Sequence, residues 1–160
     1  MILHGLRVAT YNQILMKVLS LLQPWATLVI MGVKQVETRS WSTSYRGPLL
    51  IHASKGMAGE NLCDEPRFKK YIPDFKQLPF GYIIGKVNLT DVIRIDSGGP
   101  GTNDERINKL TTEEKGFGDY SPRRYTWILQ DPIAFKTPVG AKGSLSLWDF
   151  NERLIDEKLD

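Results

Sequence analysis

The segment GYIIGKVNLTDVI, residues 81–93, constrains the fold most, because it has the two-residue alternation of a β-strand. Ile83, Val87 and Leu89 lie on one face together with Gly85, whereas the residues between them lie on the other face. A glycine within a strand indicates a bulge or a close approach of another backbone, as a strongly bent sheet requires. The segment therefore predicts a long, bent strand at the centre of a β-rich fold.

Shorter stretches with strand character surround this segment, and the connections between them are rich in glycine and proline. Asp131-Pro132 separates two of these stretches and predicts a hairpin turn. Many short strands with few helices favour a small β-barrel over a βαβ fold. The predicted strands are residues 17–22, 35–39, 49–54, 124–130, 133–139 and 145–150.

One apolar helix is predicted near the N-terminus, beginning at Pro24 and ending before Gly32. Its apolar residues cover so much of its circumference that it should be buried. Residues 56–71 and 104–115 contribute one or two peripheral helices, and Thr111 with Glu114 has the spacing of a capping box. The predicted class is thus α+β, mainly β, with a buried N-terminal helix.

Length predicts one domain, which we place at residues 16–150, after an N-terminal extension (1–15) and before a charged C-terminal tail (151–160). The single cysteine, Cys63, excludes an intramolecular disulfide and favours a reducing, cytoplasmic setting. Two histidines and one cysteine without metal-ligand spacing predict no metal site and no cofactor. No apolar run reaches the length of a membrane span.

The net charge is +3, and acidic residues outnumber basic ones in 149–160, so the basic excess lies in the domain. A basic domain is compatible with a polyanionic partner, although the same charge is equally common among proteins without one. The sequence leaves the oligomeric state open.

Charged residues cluster between the predicted helix and the third strand. Lys34, Glu37 and Arg39 are the first three, and alternation places Glu37 and Arg39 on one face, where they form either an exposed ion pair or part of a ligand site. Trp41 and Tyr45 lie in a polar turn and are candidates for stacking on a base. The remaining candidates for a binding cleft are Arg46, His52, Lys55 and, in a glycine-flanked turn, Lys142.

The segments QPWATLVIMGVKQVETRSW, YRGPLLIHASK, GYIIGKVNLTDVI and YTWILQDPIAFKTPVGAKGSLSLW together resemble the ASCH domain family, activating signal cointegrator homology, over residues 16–148. Its GxKxxExR motif is matched by Gly32, Lys34, Glu37 and Arg39. The resemblance implies a PUA-like β-barrel, a fold associated with RNA binding and RNA modification.

The expected function is binding of RNA, or of another single-stranded nucleic acid or modified nucleotide, in a basic cleft between the first helix and the barrel. One alternative is a hydrolase acting on RNA or on N4-acylated cytidine, with Lys34, Glu37 and His52 as catalytic groups. Glu37 stands where the resembling amidohydrolases have a threonine, so the hydroxyl nucleophile of that reaction is missing. A second alternative is a protein-interaction coregulator module, which would show an exposed apolar patch rather than a charged cleft.

Overall fold

The computed structural model describes residues 13–96 and 104–156, and six strands account for most of the regular structure there. The strands are β1 (Leu15–Leu21), β2 (Val36–Arg39), β3 (Gly47–Ala53), β4 (Tyr82–Arg94), β5 (Tyr125–Gly140) and β6 (Leu147–Asn151). The helices are short: α1 (Trp25–Ile30), α2 (Pro66–Lys69), α3 (Glu105–Asn108), α4 (Thr112–Gly116) and α5 (Arg153–Asp156). Two 3-10 turns, Glu60–Asp64 and Phe75–Gln77, complete the described elements.

All six strands form one sheet in the order β2-β5-β4-β3-β1-β6. β1 and β3 pair in parallel, and the other neighbouring strands are antiparallel. The predicted mainly-β α+β class is confirmed. Within the described residues, the end strands β2 and β6 do not pair with each other, so hydrogen bonds do not close the sheet into a complete barrel.

The predicted hairpin at Asp131-Pro132 is wrong, because β5 continues through this dipeptide as a single strand. Asp131 adopts a positive φ of 52°, and the register with β4 shifts between Lys86 and Asn88. The extra residue is therefore accommodated as a bulge. A second shift in the same ladder, between Ile83 and Gly85, agrees with the bulge predicted from the glycine.

The predicted burial of α1 is observed, since Ala26, Leu28, Val29 and Ile30 have almost no exposed surface. Three of these residues belong to the central core with the fully buried Trp127, while Leu28 packs into a cluster beneath α2. A third cluster joins β6 and the other face of the sheet to Ile155 of α5. Both faces of the sheet are therefore covered by buried apolar side chains.

The expected N-terminal extension lies mostly outside the described residues, as does most of the glycine-rich sequence DSGGPGTND, residues 96–104. Four short peripheral helices are observed within the described range, where one or two were expected. Among the helices of that range, none is both long enough and apolar enough to cross a bilayer.

Candidate functional site

The outer edge of β2 is covered by charged side chains from elsewhere in the chain. Lys34 donates through Nζ to the carbonyl of Val36, and the Glu114 carboxylate accepts from the N–H of Val36 at 3.0 Å and of Gln35 at 3.0 Å. Further along, Arg124 donates to the carbonyl of Thr38 at 3.2 Å. These contacts satisfy backbone groups that an edge strand would otherwise offer to another strand. They also explain why β2 has no second strand partner.

The lysine and glutamate of the GxKxxExR motif form a buried ion pair next to this edge. Lys34 Nζ lies 3.1 Å from Glu37 Oε2, with side-chain exposures of 1% and 9%. The other carboxylate oxygen of Glu37 lies 3.6 Å from Arg39 Nη1, and the Arg39 side chain is 29% exposed. Within the motif, the Glu37 carboxylate therefore contacts a buried ammonium on one side and a partly exposed guanidinium on the other.

Two more ionisable groups lie near this pair. Burial raises the pKa of Glu114, and the hydrogen bonds from the Gln35 and Val36 amides offset part of that rise. Burial and the nearby carboxylates of Glu114 and Glu37 hold the pKa of Tyr120 well above its ordinary value. Within the described part of the chain, the Tyr120 hydroxyl is buried without a hydrogen-bond partner. Burial is thus the main cause of both raised pKa values, and both ionisable groups lie in the protein interior beside the Lys34–Glu37 pair.

A cleft, separate from the buried ion pair, opens beside the ends of β1, β3 and β5. Its volume is about 1030 Å³, and three of its lining residues are the cations Arg39, Lys55 and Lys142. No aspartate or glutamate is among the described residues that line it. Among the described residues, Lys55 and Lys142 have no ion-pair partner, whereas Arg39 is paired with Glu37. The charged residues in the described lining of the cleft are therefore all basic.

His52 lies in the wall of this cleft and is 2% exposed. Its Nε2–H donates to the carbonyl of Ala141 at 3.0 Å, and Nδ1 then accepts from the hydroxyl of Ser20 at 3.0 Å. The Ser20 oxygen also accepts from Trp148 Nε1 at 3.1 Å. Burial lowers the pKa of His52, consistent with this neutral form. Both ring nitrogens are thus occupied by structural hydrogen bonds.

The segment 141–146 forms one rim of the cleft and rests on the His52 ring. A Cβ on Gly143 would lie 2.6 Å from His52 Cε1, so only glycine allows this approach. Within the described residues, the backbone N–H groups of residues 142–145 donate to no protein acceptor. They belong to the same segment as Lys142.

The predicted site residues do not form one cluster. Arg39, His52, Lys55 and Lys142 line the basic cleft, whereas Lys34 and Glu37 lie in the interior and do not line it. No residue of α1 lines the cleft either, so it is not the predicted cleft between the first helix and the sheet. The proposed catalytic residues are also separated: Lys34 and Glu37 form the interior ion pair, whereas His52 belongs to the hydrogen-bond network with Ser20 and Ala141.

The remaining candidates have local structural contacts. The ring of Trp41 packs edge-on against Trp127 at 4.7 Å, and Tyr45 donates to the carbonyl of Pro48 while packing against the central core. Arg46 donates to the carbonyls of Thr43 and Tyr45, and its Nη2 lies 3.4 Å from a carboxylate oxygen of Asp91. Neither aromatic ring lines the basic cleft, and Arg46 is held outside it.

A second cavity of about 430 Å³ lies between α1, α2 and α4. Trp25, Phe68 and Phe117 contribute aromatic walls, and Trp25 is held by a 2.7 Å hydrogen bond from Nε1 to the carbonyl of Phe117. Glu37 lines this cavity, while its salt-bridge partner Arg39 lines the basic cleft. The predicted position between the first helix and the sheet corresponds to this cavity.

The local sequence does not indicate the roles of Glu114 and Arg124. It predicts Glu114 only as the fourth residue of a capping box, and the Thr111 hydroxyl does accept from its N–H at 3.0 Å. Its carboxylate, however, reaches β2 instead of returning to the start of its own helix.

Within the described residues, no group of three histidine, cysteine, aspartate or glutamate side chains is placed to hold a metal ion.

The fold and the cleft define a small mainly-β domain of the α+β class with a cleft whose charged lining residues, among those described, are basic. The family profile of the ASCH domain matches residues 19–139, and the chain belongs to this family. The expectation drawn from the GxKxxExR motif is thereby confirmed.

The chain is 56% identical over 142 residues to Activating signal cointegrator 1 of Mus musculus and of Homo sapiens. In both cases the aligned part covers 85% of this chain but 22% of the relative, so the chain spans about a fifth of the length of these proteins.

Among solved structures, ASCH from Zymomonas mobilis superposes with a TM-score of 0.52 at 17% identity, covering 89% of this chain and 92% of that one. A mutant of the same bacterial protein gives a TM-score of 0.52 at 15% identity, covering 88% and 94%. These similarities concern the fold alone.

Proposed function

We propose that this domain binds RNA through the phosphates of its backbone, in the basic cleft lined by Arg39, Lys55 and Lys142. The single observation that carries the proposal is the charge of the lining: three cations and, among the described residues, no acid. A phosphodiester chain carries one negative charge per nucleotide, so a cleft whose charged lining residues are all cations is complementary to it.

The geometry supports binding of more than a single anion. A cleft of about 1030 Å³ is at the upper end of the range for small-molecule sites and is open enough for several nucleotides. Arg39 reaches it from β2, Lys55 follows β3, and Lys142 lies on the segment 141–146, so the charges come from three separate parts of the chain. The free amides beside Lys142 add neutral donors for phosphate oxygens.

Membership of the ASCH family adds support, because this family is associated with RNA binding. The geometry favours binding over the hydrolase alternative. Lys34 is buried and paired with Glu37, and His52 uses both ring nitrogens in structural hydrogen bonds. General acid–base catalysis needs such groups within reach of the reacting atoms.

Binding of a fluorescent RNA oligonucleotide, measured by anisotropy across a salt series, tests the proposal. The affinity should fall steeply with salt, and Lys55→Gln with Lys142→Gln should lower the slope of log affinity against log salt by about 1–2. Lys76→Gln is the matched control, because Lys76 is exposed but does not line the cleft. DNA of the same sequence in parallel shows whether the 2′-hydroxyl contributes.

Two results would contradict the proposal. One is the absence of binding at low ionic strength. The other is a salt slope that the cleft variants and the Lys76→Gln control change equally.

A further inference from the structure

The basic cleft has an apolar side that phosphate binding does not require. Leu145 lines the cleft and is 91% exposed, the most exposed large apolar side chain among the described residues. Leu22 lines it too and is 39% exposed. Tyr82, 43% exposed, adjoins the same rim, because its ring lies 3.7 Å from where a Cβ of the lining Gly140 would be.

These apolar groups stand on an anchored part of the structure. Leu145 belongs to the segment that His52 holds through the Ala141 carbonyl and that approaches the His52 ring at Gly143. The same segment carries Lys142, so one short stretch presents a cation and an exposed leucine to the same space. A single exposed leucine is ordinary on a protein surface, but here two exposed leucines line one cationic cleft and an exposed tyrosine adjoins its rim.

A nucleic acid with unpaired bases matches this combination of surfaces. In a duplex, the bases are stacked and paired, and the outer surface presents mainly sugar and phosphate. A single strand exposes apolar base faces beside its phosphates, and such faces stack on aromatic or apolar side chains. The rings predicted to do so, Trp41 and Tyr45, are packed against the core, whereas Tyr82 has its ring at the rim.

We infer that the cleft selects single-stranded nucleic acid, with Leu145 and Tyr82 contacting the faces of unpaired bases while Lys55 and Lys142 bind the phosphates. This inference rests on the proposed function and adds to it the class of ligand and two residues that set it. The apolar contacts provide a preference for unpaired strands, and the cations provide the salt-dependent affinity.

The test compares a labelled 12-nucleotide RNA strand with the same strand annealed to its complement, using the full chain. The native protein should bind the single strand more tightly. Leu145→Ser and Tyr82→Ala should each weaken single-strand binding about fivefold or more, the lower end of what one stacked base contributes. Neither variant should alter the salt slope, since neither removes a phosphate contact.

Matched variants separate base contact from disturbance of the fold. Tyr82→Phe retains the ring and should restore single-strand affinity. Ile133→Ser is a control at a 51% exposed apolar residue that does not line the cleft, and it should leave binding unchanged. Thermal unfolding of each variant checks that the fold is intact.

The inference is overturned if the duplex binds as tightly as the single strand, or if Leu145→Ser and Tyr82→Ala bind the single strand like the native chain. In either case, a salt slope still lowered by Lys55→Gln and Lys142→Gln would leave backbone binding intact. Absence of binding by the native chain would overturn both proposals.

Discussion

Replacing Lys34 by methionine should destabilise the domain strongly, because it leaves a buried carboxylate without its closest cation. The ammonium makes two contacts, a hydrogen bond to the Val36 carbonyl and the 3.1 Å ion pair with Glu37, at 1% exposure. Methionine keeps the volume and length of the apolar stem. Removing one partner of a buried pair costs about 3–5 kcal/mol, a large share of the total stability of about 5–15 kcal/mol expected for a domain.

An exposed pair in the same chain provides the control. Lys109 Nζ lies 2.6 Å from Glu105, closer than the buried pair, but the two side chains are 76% and 79% exposed. Water screens such a pair, so Lys109→Met should cost less than about 1 kcal/mol. Burial, rather than the distance between the charged atoms, therefore determines the difference between the two variants.

The assay is urea unfolding followed by tryptophan fluorescence and circular dichroism, with linear extrapolation to water. Adding Glu37→Gln to Lys34→Met should recover part of the lost stability, because the buried carboxylate, left with Arg39 alone at 3.6 Å, is then replaced by a neutral amide. A stability loss in Lys34→Met no larger than that in Lys109→Met would contradict this prediction, and so would simple additivity of the two substitutions at the buried pair.

Three further predictions follow from the contacts described above. The pKa of His52 in the folded state is below its ordinary 6.5, so the unfolded chain binds more protons. The free energy of unfolding should therefore fall as the pH drops through 6.5. In urea unfolding from pH 5 to 7.5, His52→Gln should show a weaker dependence of this free energy on pH. Glu114→Ala leaves two amides at the start of β2 without an acceptor and should cost about 2–5 kcal/mol in the same assay. Arg46 is held outside the cleft by carbonyls and a carboxylate, so Arg46→Gln should weaken RNA binding less than Lys142→Gln in anisotropy titrations.

Much of the sheet was predictable because strand periodicity is a local property of the sequence. The alternation in residues 81–93 identified β4, and Gly85 correctly indicated a close backbone approach, since a Cβ there would lie 2.3 Å from the carbonyl oxygen of Ile133. The hairpin failed because Asp131-Pro132 is a good local turn signal. Pairing with β4 on both sides of the dipeptide overrode it, and the turn signal became a bulge within one strand.

Part of the candidate site was also accessible from local sequence. Alternation placed Glu37 and Arg39 on one face, and the structure brings their charged groups to 3.6 Å. The covering of β2 by Glu114 was not accessible, because 77 intervening residues separate it from Val36 and no local pattern encodes that contact. The neighbours of His52 were missed for the same reason: Ser20 and Ala141 come from distant strands and loops.

The aromatic candidates show why polarity of the neighbouring sequence is a poor guide to exposure. Trp41 and Tyr45 lie among polar residues, yet their rings turn toward the core and pack against it. Tyr82 begins a strongly apolar strand and is nevertheless 43% exposed, because it lies at the end of the sheet next to Gly140. Only the three-dimensional arrangement of strand ends distinguishes these cases.

The bulge at Asp131 also determines how β5 can change in length. Residues 131 and 132 lie opposite a single residue of β4, so loss of one of them would restore one-to-one pairing and leave every flanking side chain on its present face. The same deletion anywhere in the regularly paired part of the strand would exchange core and solvent faces beyond that point. The bulge is therefore a position in this strand where one residue can be lost with the core preserved.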